Sequence, residues 1–145
     1  MNRIESARAL FKEGFSCSQA VAAAYSDLYG LDRETALRVS AGFGGGMGRM
    51  AGTCGAVTGA FMVIGLKNGA TSARDKDKKD KTYRLVRELA EKFQAVYGSI
   101  ACKDLLGCDI STPEGMAQSK EKKFHQTVCP KFIESAAEIL EGILE

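Results

Sequence analysis

From Cys54 to Leu66 the chain carries no charged residue. Val57, Phe61, Met62, Ile64 and Leu66 surround the small residues Gly55, Ala56, Gly59 and Ala60, so a helix here is apolar on every face. Such a helix has to be enclosed by other elements. The run is shorter than the roughly 20 apolar residues needed to cross a bilayer, which makes helix 54–66 the expected buried centre of a globular core. The i,i+4 pairs Gly55/Gly59 and Ala56/Ala60 allow a neighbouring helix to approach closely.

The remaining pattern supplies helices to surround it. Ile4, Ala7, Leu10 and Phe11 recur at helical spacing and stop at Gly14. A second helix runs from Cys17 through Val21, Ala24 and Leu28 to Gly30, and Asp32 caps a third containing Thr35, Ala36 and Val39. The charge run Arg74 to Lys81 is a solvated loop or helix start. From Thr82, Leu85, Val86, Leu89, Phe93 and Val96 mark a long amphipathic helix ending at Gly98. A short segment follows from Ile100 to Leu106, then a turn with Thr112 as cap and Pro113 opening another short helix. The last helix starts at Pro130. No alternating β pattern and no repeat of solenoid length occurs. With 145 residues, 45% hydrophobic and 26% charged, the chain is long enough to bury a core. The expected fold is therefore all-α: a compact single domain, 1–145, of about six helices around helix 54–66.

A net charge of +2, without aromatics interleaved among basic residues, argues against nucleic-acid binding. Met1 to Glu5 lacks the apolar core of a signal peptide, so a cytoplasmic location is expected. Five cysteines in a reducing compartment point to metal binding or redox chemistry rather than structural disulfides.

The stretch Gly42 to Gly52 holds six glycines in eleven residues. A phosphate-binding loop would need a preceding strand and a Gly-Lys-Ser/Thr ending, and neither is present. A flexible linker fits poorly because the loop runs directly into the apolar helix. The preferred reading is a tight loop wrapped against the Cys54 helix, its N–H groups forming an anion nest for a thiolate or a cluster. Gly45, Gly46, Gly52, Gly55 and Gly59 are then the candidate cofactor-binding glycines, and a small-molecule pocket at this loop is a further possibility.

Four cysteines fall at expected helix starts. Ser16 and Gln19 form a capping box that makes Cys17 the first helical residue. Thr53 is the expected cap before Cys54, Ser99 the cap before the segment with Cys102, and Cys129 precedes Pro130. A helix N-terminus favours thiolate over thiol, and thiolates are the reactive and metal-binding form. Cys108, after Gly107, has no capping sequence and stands apart. The bland alternative is that these cysteines are small hydrophobes filling space. Their long separations, with no Cys-x-x-Cys, mean that any shared site is assembled by tertiary packing. The lone His125 is expected to serve a surface or capping role, with ligation or acid/base help to Cys129 as the sharper alternative.

Cys17, the glycine-rich loop leading to Cys54-Gly55-Ala56-Val57-Thr58-Gly59, Cys102 to Gly107 with the turn after it, and Cys129 together resemble the C_GCAxxG_C_C family. The resemblance implies a small prokaryotic-type protein with a redox role, no established reaction and four characteristic cysteines, here Cys17, Cys54, Cys102 and Cys129. These four are the candidate catalytic and metal-binding residues. The leading expectation is a site at converging helix N-termini that holds an iron–sulfur cluster or another thiolate-bound metal. The alternatives are a metal-free dithiol/disulfide protein, with Cys54 as the expected nucleophile, and a helical binding or assembly module with structural cysteines. An oxidoreductase or electron-transfer role, an unidentified redox partner and a homodimer are all compatible with the sequence.

Overall fold

In the computed structural model, which describes residues 1–145, the chain is all-α. Its helices are α1 (Arg3–Glu13), α2 (Cys17–Tyr25), α3 (Arg33–Ser40), α4 (Gly55–Asn68), α5 (Lys76–Tyr97), α6 (Cys102–Leu106), α7 (Pro113–Glu121), α8 (Phe124–Thr127) and α9 (Cys129–Leu144). Six of them, α1 to α5 and α9, pack against one another as the bundle. The short α6, α7 and α8 lie beside the starts of α2, α4 and α9, and all of these contribute to the wall of one cavity. No helix is long and apolar enough to cross a membrane.

Local sequence sets most helix ends. Asn2 and Glu5 form a capping box at α1, and Gly14 ends it with φ 118°. Ser16 and Gln19 do the same for α2, which passes through a 3₁₀ turn to the left-handed Gly30. Asp32 accepts the Thr35 N–H at the start of α3, and Thr112 accepts the Gly115 N–H at α7.

Four boundaries differ from expectation. α5 begins at Lys76 because Asp75 accepts the Lys78 N–H, a cap hidden in a run without apolar periodicity. α4 is capped by Cys54 itself, since Thr53 is committed to a β-bridge with Ala101. At α6 the cap position belongs to Ala101, whose N–H bonds to the Ser99 hydroxyl. Cys129 is already helical, one residue before Pro130.

The core forms around α4 as its composition requires. Val57, Ala60, Val63 and Ile64 of α4 are fully enclosed by Val21 and Tyr25 of α2, Leu89 and Phe93 of α5, and Ile133 and Leu140 of α9. The enclosure is incomplete only toward the end of the helix, where Phe61 and Met62 are half-buried and Leu66 is exposed.

The tightest approach is between α4 and α2. A Cβ on Gly59 would lie 2.7 Å from the Ser18 carbonyl oxygen, and one on Gly55 would lie 2.9 Å from the Ser18 nitrogen and 3.1 Å from Cys17 Cβ. These are backbone contacts, so no side-chain rotation relieves them. Gly59→Ala is therefore expected to cost about 1–3 kcal/mol. Gly142→Ala in α9, where an added Cβ meets nothing within 4 Å, should be stabilising by about 0.5–1 kcal/mol. Urea midpoints of the two variants check the contrast, and equal effects would mean that α2 and α4 are not held at backbone contact.

Candidate functional site

The parallel contact of α2 and α4 brings their first turns together, and the other cysteine-bearing helix starts reach the same place. Cys17, Cys102 and Cys129 are the first residues of α2, α6 and α9, and Cys54 is the cap of α4. All four line one cavity of about 850 Å³. Cys54 and Cys102 are buried, whereas Cys17 and Cys129 are half-buried. Cys108 is buried just beyond the left-handed Gly107 and does not reach the cavity wall.

Hydrogen bonds fix these positions. The Ser18 hydroxyl donates to the Ser40 carbonyl at 2.9 Å and the Gln19 amide to the Leu37 carbonyl at 3.0 Å, which ties the start of α2 to the end of α3. Cys54 N–H donates to the Ile100 carbonyl at 2.7 Å, and Cys102 N–H donates to the Gly52 carbonyl at 2.6 Å. The segments before α4 and α6 thus pair like two short strand ends. Tyr97 bonds to Ser135 at 2.6 Å and packs edge-on against Phe132, holding α9 to α5.

The electrostatics divide the thiols into unequal roles. The Cys17 and Cys129 thiols interact across the cavity, and this interaction pushes Cys17 well above the usual thiol range and Cys129 below it. Ionisation is thus favoured at Cys129 and disfavoured at Cys17, so the pair gives up its first proton more readily than its second. Burial pushes Cys54 up to about 11, although the N–H groups of Ala56 and Val57 pull it partly back. Burial also pushes Cys102 up to about 12, helped by the charges of Cys54 and Cys129. The expectation that a helix start lowers each thiol therefore holds in direction only for Cys129. At Cys54 and Cys102 loss of water outweighs the partial charge of the helix end, and at Cys17 the interaction with Cys129 does so first, with burial second.

The glycine-rich loop closes another side of the cavity. Gly45, Gly46, Met47, Gly48 and Arg49 all have φ between 60° and 70°, and Ala51 adds a further left-handed residue at 60°. An alanine Cβ on Gly46 would lie 2.5 Å from the Gly52 nitrogen, so the coil tolerates no side chain there. Its internal bonds use the N–H groups of Met47, Arg49, Met50, Ala51 and Gly52, leaving those of Gly45, Gly46 and Gly48 without a carbonyl partner. Of the expected cofactor glycines, Gly45, Gly46 and Gly55 line the cavity. Gly52 instead packs on Gly46 and Met47, and Gly59 packs on α2.

His125 also borders the cavity, with its ring 4.2 Å from that of Phe11. Burial lowers its pKa, so the ring is neutral at pH 7. Sequence reasoning missed Arg49, Lys120 and Lys123 on the same wall. No local pattern distinguishes these cations from the solvated ones of α5.

No three His, Cys, Asp or Glu side chains stand together as a group able to hold one metal ion. The four thiols share a cavity without closing on a common point.

The profile of the family described as Putative redox-active protein (C_GCAxxG_C_C) matches residues 15–143. This span includes all five cysteines and the glycine-rich loop. No curated protein and no solved structure matches the chain.

The raised thiols make stability depend on alkaline pH. Below pH 9 Cys54 keeps its proton whether folded or unfolded. Between 9.0 and about 11 the unfolded chain releases that proton while the folded one retains it, so stability falls as pH rises. The loss from this one thiol is about 2–3 kcal/mol. Denaturant midpoints from pH 8 to 11 should fall more steeply for the parent protein than for Cys54→Ala, and parallel slopes would rule out the buried, protonated thiol.

Proposed function

The chain belongs to the C_GCAxxG_C_C family, and on that footing we propose that it is a thiol redox protein in which Cys17 and Cys129 cycle between dithiol and disulfide. Cys54 and Cys102 are the further thiols of the same site. The observation that carries this reading is that Cys17 and Cys129, both half-buried, line the same cavity and interact there, with one thiol pushed up and the other pushed down.

Each half of the reaction uses that asymmetry. A thiolate is the attacking form in disulfide exchange, and Cys129 is the cysteine whose environment favours it. The role expected for Cys54 therefore passes to Cys129, because Cys54 is buried and protonated near neutrality. Cys17 keeps its proton until Cys129 has reacted. Once Cys129 is bonded to sulfur it no longer accepts that proton, and Cys17 is already beside it as the resolving thiol. Both are half-buried, accessible enough to meet a partner while shielded from bulk oxidants. A reducing cytoplasmic setting would deliver the pair in its free form.

A thiolate-bound iron–sulfur cluster is the second reading. It is favoured by four cysteines on one cavity at four helix starts, where the partial positive ends suit an anionic group. For a single metal ion the residues do not fit, since no three donors are gathered. Anaerobic purification with iron and sulfide analysis and a visible spectrum distinguishes the cluster from the dithiol, because colourless, iron-free protein with titratable thiols excludes it.

For the dithiol reading, peptide mapping of mildly oxidised protein should find a Cys17–Cys129 bond. The pH profile of Cys129 alkylation should have its midpoint below that of an ordinary cysteine, and Cys17→Ala should move it upward by removing the interacting thiol. A profile unchanged in the variant, or oxidation that never joins Cys17 to Cys129, would overturn the assignment.

A further inference from the structure

The cavity wall contains three cations, Arg49, Lys120 and Lys123, and no Asp or Glu. None of the three cations forms a salt bridge within the chain. All three are exposed, whereas the thiols are buried or half-buried, so the positive charge lies nearer solvent and the sulfur deeper. The unpartnered N–H groups of Gly45, Gly46 and Gly48 add donors on the same wall. Phe11, Leu105, Leu106 and Phe132 give the wall apolar surface, beside the neutral polar Ser16, Gln19, Ser119 and Gln126.

A volume of about 850 Å³ lies within the roughly 300–1,000 Å³ of small-molecule sites and far exceeds what a bare inorganic anion needs. The wall therefore suits an organic molecule with apolar surface and negative groups, and the thiols of the same wall suit one that accepts electrons through sulfur. We propose that the substrate is a low-molecular-weight disulfide carrying carboxylate groups, gripped by Arg49, Lys120 and Lys123 and reduced by Cys129 and Cys17. This rests on the dithiol reading above and names its substrate class.

The exchange balances without another reactant. Cys129 thiolate attacks one substrate sulfur, forming a mixed disulfide and expelling one substrate thiolate, which takes a proton from water. Cys17 then attacks Cys129 Sγ, forming the Cys17–Cys129 bond and expelling the second substrate thiolate, which receives the proton that Cys17 gives up. Two electrons pass from the protein dithiol to the substrate, and one disulfide yields two thiols.

The test follows oxidation of the fully reduced protein by three probes: oxidised glutathione, which is anionic, neutral hydroxyethyl disulfide, and cationic cystamine. At low salt, oxidised glutathione is expected to react about tenfold or more faster than the other two, with the preference shrinking as ionic strength rises. The triple variant Arg49→Gln, Lys120→Gln, Lys123→Gln should lose that preference. Removing the same amount of charge from α5, with Lys78→Gln, Lys79→Gln and Lys81→Gln, should retain it. Because all six positions are exposed, the variants are expected to fold, and their circular dichroism and melting curves verify this. If the three probes form the Cys17–Cys129 bond at similar rates, or the cavity triple variant keeps the preference, the substrate class is wrong while the dithiol reading stands. If no probe forms that bond, both fall.

Discussion

The contact between the backbones of α2 and α4 sets the position of everything around the thiols. Ser18 of α2 rests against Gly55 and Gly59 of α4 at distances that leave no room for a Cβ. Since Gly55 meets Cys17 and Ser18 while Gly59 meets Ser18 and Val21, the two helices run side by side in the same direction. Their N-terminal ends therefore coincide, and Cys17 and Cys54 arrive at one end of the bundle. The loop between α3 and α4 has to return to that end, and it does so over the same glycine, with the Phe43 carbonyl 3.4 Å from the Cβ position of Gly55. A pair of small residues in an apolar helix thus determines both where the sulfur lies and which loop faces it.

Within that frame, two electrostatic effects act on each cysteine and their balance differs from site to site. The helix ends supply N–H groups and a partial positive charge, worth about 0.3–1 kcal/mol when exposed. Removal from water opposes them and grows with depth. Cys54 and Cys102, the deeper pair, are pushed up by burial, and Cys17 is pushed up first by its interaction with the Cys129 thiol. Cys129 alone gains more than it loses, because its interaction with the Cys17 thiol outweighs its burial. The arrangement favours ionisation at one of the four sulfurs over the other three, which limits the repulsion that several thiolates on one cavity would suffer.

Much of this was legible in the chain, and the illegible parts have physical reasons. The capping box at Ser16 and Gln19, the stops at Gly14, Gly30 and Gly98, and the buried centre at α4 all depend on local chemistry that sequence displays. The caps at Thr53 and Ser99 were misassigned because the pairing of Thr53 with Ala101 is a contact between distant segments that overrides local preference. α8 follows Lys123 in a left-handed conformation with no side-chain cap, so no start signal precedes it. The convergence of four cysteines was inferable from their shared placement and family resemblance. Which two would pair was not, because Cys17 and Cys129 meet only through the packing of α2 and α9.

The left-handed coil at residues 45–49 shows what holds the two sides of the cavity in register. Met47, Arg49 and Ala51 each occupy a conformation that costs a side-chain-bearing residue roughly 1–3 kcal/mol, and nothing in their own chemistry favours it. The compensation comes from outside the coil: the Gly52 carbonyl accepts from Cys102 N–H and the Ala51 carbonyl from Lys103 N–H. The loop that positions Arg49 is therefore fastened to the helix that positions Cys102, and neither can move away without breaking these two bonds. Cation and thiol form one mechanical unit, and a molecule held at the cavity entrance meets sulfur at a depth set by the backbone rather than by flexible side chains.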